Sequence, residues 1–124
     1  MKFTLIAIAL LLAPVAKADN IKCFFTEPFI ITTYSMSKST LTIKAMDEKT
    51  EVIKNVSFQI KGAGDFVLMN KDNKVIQTLK LNNNGSDGMS DRIFPMEGQM
   101  GQSADSHGNI GGCETNNLKA QGEG

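Results

Sequence analysis

Few residues in this chain have the chemistry of a catalyst. The one histidine, His107, follows Asp105 and Ser106. These are the residue types of a base, an orienting acid and a nucleophile. Immediate neighbours in an extended chain point in different directions, so the three cannot form a triad among themselves. Ser90 follows Gly88 and Met89, but Arg92 stands where a nucleophile elbow needs its second glycine. No spacing among the thirteen acidic residues pairs two carboxylates across a cleft. An exposed histidine in a loop is the plainer reading. The chain is therefore expected to be no enzyme, with a small secreted hydrolase using His107 as the alternative.

Metal chemistry has slightly more to work with. Asn82, Asn84, Ser86, Asp87 and Asp91 place oxygen donors close together, and Gly85 and Gly88 permit a tight loop. A calcium loop of the EF-hand type starting at Asn82 would put Ile93 where the bidentate glutamate must stand. Met96, Met100 and His107 are soft donors suited to copper, although methionine more often fills cores. The expectation is no metal and no cofactor. Asn, Asp and Gly concentrate in turns because they tolerate left-handed backbone and bond their own main chain. A turn that sets strand register is thus the plainer reading of residues 82–91. As candidate contacts for a ligand or partner, the stretch offers Asn84, Asp87, Ser90, Asp91 and Arg92, with Asp87 accepting N–H bonds inside the turn and Asp91 and Arg92 facing outward.

The elements that would position this turn are strands. Residues 40–44 and 56–60 alternate polar and apolar, the period of a half-buried strand and not of a helix. Residues 21–25, 29–34, 66–69, 75–81, 92–96 and 107–114 complete the set. Turns are expected at residues 47–49, 62–64 and 70–73. Turn signals at this spacing indicate an all-β fold, a small antiparallel β-barrel or sandwich. The expected core is Phe24 or Phe25, Phe29, Ile31, Leu41, Ile43, Val56, Phe58, Ile60, Phe66, Leu68, Leu79, Leu81 and Phe94. From about residue 97 the chain becomes glycine-rich, and a partly flexible C-terminal segment is expected there.

The two cysteines, Cys23 and Cys113, lie near the ends of the chain that remains after residue 18. An even, isolated pair in an exported protein is expected to form one disulfide that closes the domain. Pairing of the first and last strands beside that bridge would remove exposed sheet edges.

Export follows from the N-terminus. Lys2 precedes an apolar run over residues 3–12, Pro14 breaks it, and Ala16-Lys17-Ala18 offers small residues to a signal peptidase. The run is shorter than the roughly 20 residues that span a bilayer. Residues 1–18 are read as a cleaved signal peptide and residues 19–124 as one β domain with no stable membrane span. Cleavage removes Lys2 and Lys17 and leaves a net charge of −2. A nucleic-acid binder would show a basic excess or stripe, so none is expected as a partner.

Three motifs carry a resemblance. They are Cys23-Phe24-Phe25-Thr26-Glu27-Pro28-Phe29, then Ser86-Asp87-Gly88-Met89-Ser90-Asp91 with Phe94-Pro95 behind it, then Gly111-Gly112-Cys113. Their order resembles small uncharacterised exported bacterial proteins. Some of those carry tryptophan where Ile30 stands and a cysteine near Gly85 and Ser86. The resemblance implies a bacterial envelope location and a small β fold, and it implies no activity. The expected role is a non-enzymatic binding or interaction module in the periplasm or outside the cell, meeting an unknown protein or small ligand. A purely structural envelope protein is a further alternative.

Overall fold

Alternation decides which face each strand buries. In β1 (Asn20–Phe25), Ile21, Cys23 and Phe25 are buried, while Lys22 is exposed and Phe24 partly so. A computed structural model of the chain describes residues 20–26, 29–45, 48–101 and 110–122. The expected signal segment, 1–18, lies outside the described residues.

Among those residues the chain forms one antiparallel sheet with no helix. After β1 come β2 (Ile30–Ser35), β3 (Thr40–Ala45), β4 (Glu51–Ile53) and β5 (Ser57–Gly62). They are followed by β6 (Asp65–Met69), β7 (Val75–Gly85), β8 (Phe94–Met100) and β9 (Ile110–Thr115). The sheet order is β4-β3-β2-β1-β9-β8-β7-β6-β5, and the sheet curls into a half-barrel. The expected all-β fold closed by a disulfide is what forms. Cys23 and Cys113 are directly opposed on β1 and β9 and are bonded to each other. Such a bridge belongs to an oxidising compartment.

First and last strands do pair, but they sit at the middle of the sheet and not at its seam. The two edge strands are β4 and β5, which follow each other in the chain. Every pairing is antiparallel, so β4 and β5 run in the same direction. They could not pair as parallel neighbours through so short a link. Residues 51–62 instead act as one bent strand whose first part pairs with β3 and whose second part pairs with β6. The bend is at Asn55, which has a positive φ of 60°, a conformation that asparagine tolerates better than most side chains. Val56 next to it is buried and donates its N–H to the Ser39 carbonyl at 2.8 Å. Its own carbonyl accepts the Tyr34 hydroxyl at 2.8 Å. The seam is thus tied to the β2–β3 hairpin by side chain and main chain.

The interior is built around the disulfide. Ile21, Phe25, Tyr34, Leu41, Val56, Leu68, Leu79 and Met96 pack with the two cysteines. Two polar side chains are buried with them. Thr32 donates its hydroxyl to Gln77 Oε1 at 3.1 Å, and Gln77 Nε2 donates to Cys23 Sγ at 2.9 Å. Each finds a partner, which is the condition on which polar groups survive in a core. Gly98 faces the same bridge, and a Cβ there would come within 2.5 Å of Cys113 Sγ.

Several expectations need correction. Residues 51–53 form a strand that the sequence reading placed in no element. β7 runs on through the three asparagines to Gly85, so part of the expected turn is strand. β8 extends to Met100, so residues 97–100 are part of the sheet and not of a loose tail. Phe29 and Ile31 are only half-buried, and Ile60 and Leu81 are exposed, Ile60 at 70%. Ile60 follows the inward parity of Phe58, but it lies at the end of the half-barrel, where alternation no longer implies burial.

Candidate functional site

The β7–β8 connection is bonded mainly to itself. Asp87 Oδ1 accepts the N–H groups of Met89 at 2.9 Å and Ser90 at 2.8 Å, and Asp87 Oδ2 accepts the Ser90 hydroxyl at 2.9 Å. Ser86 Oγ accepts the Gly88 N–H at 3.0 Å. Asp87 is buried. Burial alone would push its carboxyl up, but the bonds from Ser90 and Met89 and the charge of Arg92 reverse this and hold it below its ordinary value. Upstream, Asn82 Oδ1 accepts the Asn84 N–H at 3.0 Å, and Asn83 takes a positive φ of 53°. These residues are the extra length that β7 carries between its pairings at Leu81 and Gly85.

The loop then folds back over the outer face of the sheet. Gly88 lies against Thr26, just past the end of β1. Phe94 is buried beneath, with its ring 5.6 Å from Phe24, a residue of the face opposite the disulfide. Gly112 makes the space, since a Cβ there would stand 2.6 Å from the Phe94 ring. Arg92 lies over that ring at 5.4 Å and pairs with Glu114 at 3.6 Å. Glu114 Oε1 also accepts the Ala120 N–H at 2.9 Å. Main-chain bonds of 2.8 and 2.9 Å between Ile93 and Gln121 complete the join between loop and C-terminal segment.

Two cavities open at this end of the half-barrel. The first, about 300 Å³, is the apolar mouth, walled by Ile21, Met36, Phe58, Phe66, Leu81 and Met96, with Thr115, Asn117 and Leu118 at its lip. The Phe58 and Phe66 rings stack at 5.2 Å within it. Leu81 and Leu118 are exposed, so the mouth is open to solvent. The second, about 560 Å³, is a cleft between the loop and the C-terminal segment, and Asn83, Asp91, Ile93, Lys119 and Gln121 are among its walls. Thr115 Oγ1 accepts the N–H groups of Asn117 and Leu118 at 3.2 and 3.0 Å, which fixes the segment shared by both cavities.

The five residues singled out from sequence therefore have separate places. Asp87 and Ser90 are joined in the turn. Arg92 is held by Glu114. Asn84 is exposed beside the bulge. Asp91 is exposed and lines the cleft. His107, with Asp105 and Ser106, lies outside the described residues. Among the described residues no group of three or more His, Cys, Asp or Glu side chains could hold a metal ion, and no helix is long and apolar enough to cross a membrane.

Sequence reasoning missed Met36, Glu114, Leu118 and Lys119, and weighed Met96 only as a soft metal donor and not as a wall of the mouth. No motif marks them, because they are brought together from four separate parts of the chain. The architecture defines a disulfide-centred β half-barrel with an open apolar mouth. Comparison with known proteins adds no relative: no protein-family model, no curated protein and no solved structure matches the chain.

Proposed function

We propose that this is an exported protein of the bacterial envelope that acts without catalysis, as a binding module that takes an apolar group into the mouth of its half-barrel. The observation that carries the reading is the mouth itself. Its walls are side chains of Ile, Met, Phe and Leu, and its lip leaves Leu81 and Leu118 in water. Exposed apolar surface around a concavity is characteristic of ligand and partner sites. The signal-like N-terminus and the Cys23–Cys113 bridge support export to the periplasm or beyond. In this reading Asn84, Asp87, Ser90 and Arg92 hold the loop in place, and Asp91 stands where a bound group would meet it.

The test is titration of the oxidised domain with a neutral apolar fluorophore such as N-phenyl-1-naphthylamine. Saturable binding with one site per chain is expected, and Leu81→Gln should weaken it while leaving the melting temperature within a degree or two. Linear, unsaturable signal, or saturable signal indifferent to Leu81→Gln, would remove the mouth as the site.

A further inference from the structure

The mouth and the cleft are neighbours. Asn117 and Leu118 line both. Their chemistry differs sharply. The mouth has no charged side chain in its wall. The cleft has one of each sign: Asp91, from the β7–β8 loop, and Lys119, from the C-terminal segment. Both are exposed. Among the described residues neither makes an ion pair or a side-chain hydrogen bond, whereas Arg92 and Glu114 close by satisfy each other. Two opposite charges lining one cleft, left unpaired beside an apolar cavity, complement a molecule with an apolar tail and both signs of charge in its head.

Resting on the binding role proposed above, we infer that the site takes a single-chain amphiphile with a zwitterionic headgroup. The alkyl chain enters between Phe58, Phe66 and Met96. The cationic part of the head lies against the Asp91 carboxylate, and the anionic part lies against the Lys119 ammonium. The modest size of the mouth sets the chain length. Each methylene added should tighten binding about fourfold, the transfer value for one buried methylene, until the mouth is filled, and further methylenes should add nothing.

The experiment is calorimetric titration of the oxidised protein with four octyl probes below their micelle concentrations: octylphosphocholine, octyltrimethylammonium, octyl phosphate and octyl glucoside. The phosphocholine is expected to bind tightest. Asp91→Asn should weaken the two ammonium-bearing probes about fivefold and spare octyl phosphate. Lys119→Gln should weaken the two phosphate-bearing probes by a similar factor and spare the trimethylammonium. Factors of this size are those of exposed ion pairs, and they should shrink as salt is raised. Octyl glucoside should ignore both variants. Equal binding of all four probes, unchanged in both variants, would overturn the headgroup assignment and leave the apolar mouth standing. A charged probe matching the zwitterion would overturn the requirement for both signs. No binding of any probe to folded protein would overturn the headgroup assignment and the mouth together.

Discussion

Asp87 is the residue on which the loop depends. Three donors converge on one buried carboxylate. Asp87→Ala should cost about 1–2 kcal/mol, the range for loss of a capping acceptor, and lower the melting temperature by several degrees. Asp87→Asn keeps an acceptor and should cost less. Acid should act through the same group. Its folded pKa lies below the ordinary value of 3.8, so on acidification the unfolded chain takes up the proton first. The contribution is present above that value and is lost as pH falls through the lower folded one. Stability measured by denaturant between pH 5 and pH 2 should therefore fall more steeply in the native chain than in Asp87→Asn. Equal slopes would assign the acid sensitivity to other carboxylates.

Among the elements, the bent strand over residues 51–62 sets the shape of the molecule. It forms both ends of the sheet, and its bend is latched by the Tyr34 hydroxyl and the Ser39 carbonyl. Removing the hydroxyl with Tyr34→Phe leaves a buried carbonyl short of a partner, at a cost of about 1–3 kcal/mol. The loss should be local. Amide hydrogen exchange should quicken in β4 and at Val56, while β1, β8 and β9 keep their protection. Unchanged exchange at β4 would mean that packing of Val56 alone holds the seam. Burial also raises the Tyr34 pKa above 10.0. The phenol is favoured in the folded state, and its contribution is lost as pH rises above the unfolded value.

For the molecule as a whole, the disulfide joins two meanders, β1–β4 and β5–β9, at the middle of the sheet. The bonded cysteines are 90 residues apart, and a loop of that length corresponds to roughly 4–5 kcal/mol of unfolded-state entropy. A Cys23→Ser, Cys113→Ser double variant should lose stability of that order, read from its denaturant midpoint. Gln77 would keep a hydroxyl as acceptor in place of Cys23 Sγ, so the loss measures the cross-link and not an orphaned amide. Both cysteines are fully buried. Reductant should leave the native protein's mass after alkylation unchanged and release two thiols only when denaturant is added. Ready reduction without denaturant would show that the core opens around the bridge.

Strands, turns and the bridge were legible in the sequence because each is a local or a counting signal. Period-two alternation marks residues 40–44 and 56–60 whatever they pack against, an even pair of cysteines leaves one intramolecular pairing, and the reach of Asp87 to N–H groups two and three residues on needs no distant partner. The mouth was not legible. Its walls come from β1, the β2–β3 turn, β5, β6, β7, β8 and the segment after β9, and only the register of those strands decides that Ile21 and Met96 meet Phe66. The same holds for the return of the loop onto Thr26, which depends on Gly112 leaving room for Phe94, and for the edge role of residues 51–62, which depends on a bend at Asn55. Local pattern states which residues alternate. Which face turns inward, and which ends come together, is settled by pairings between strands far apart in the chain, and that is where the candidate site lies.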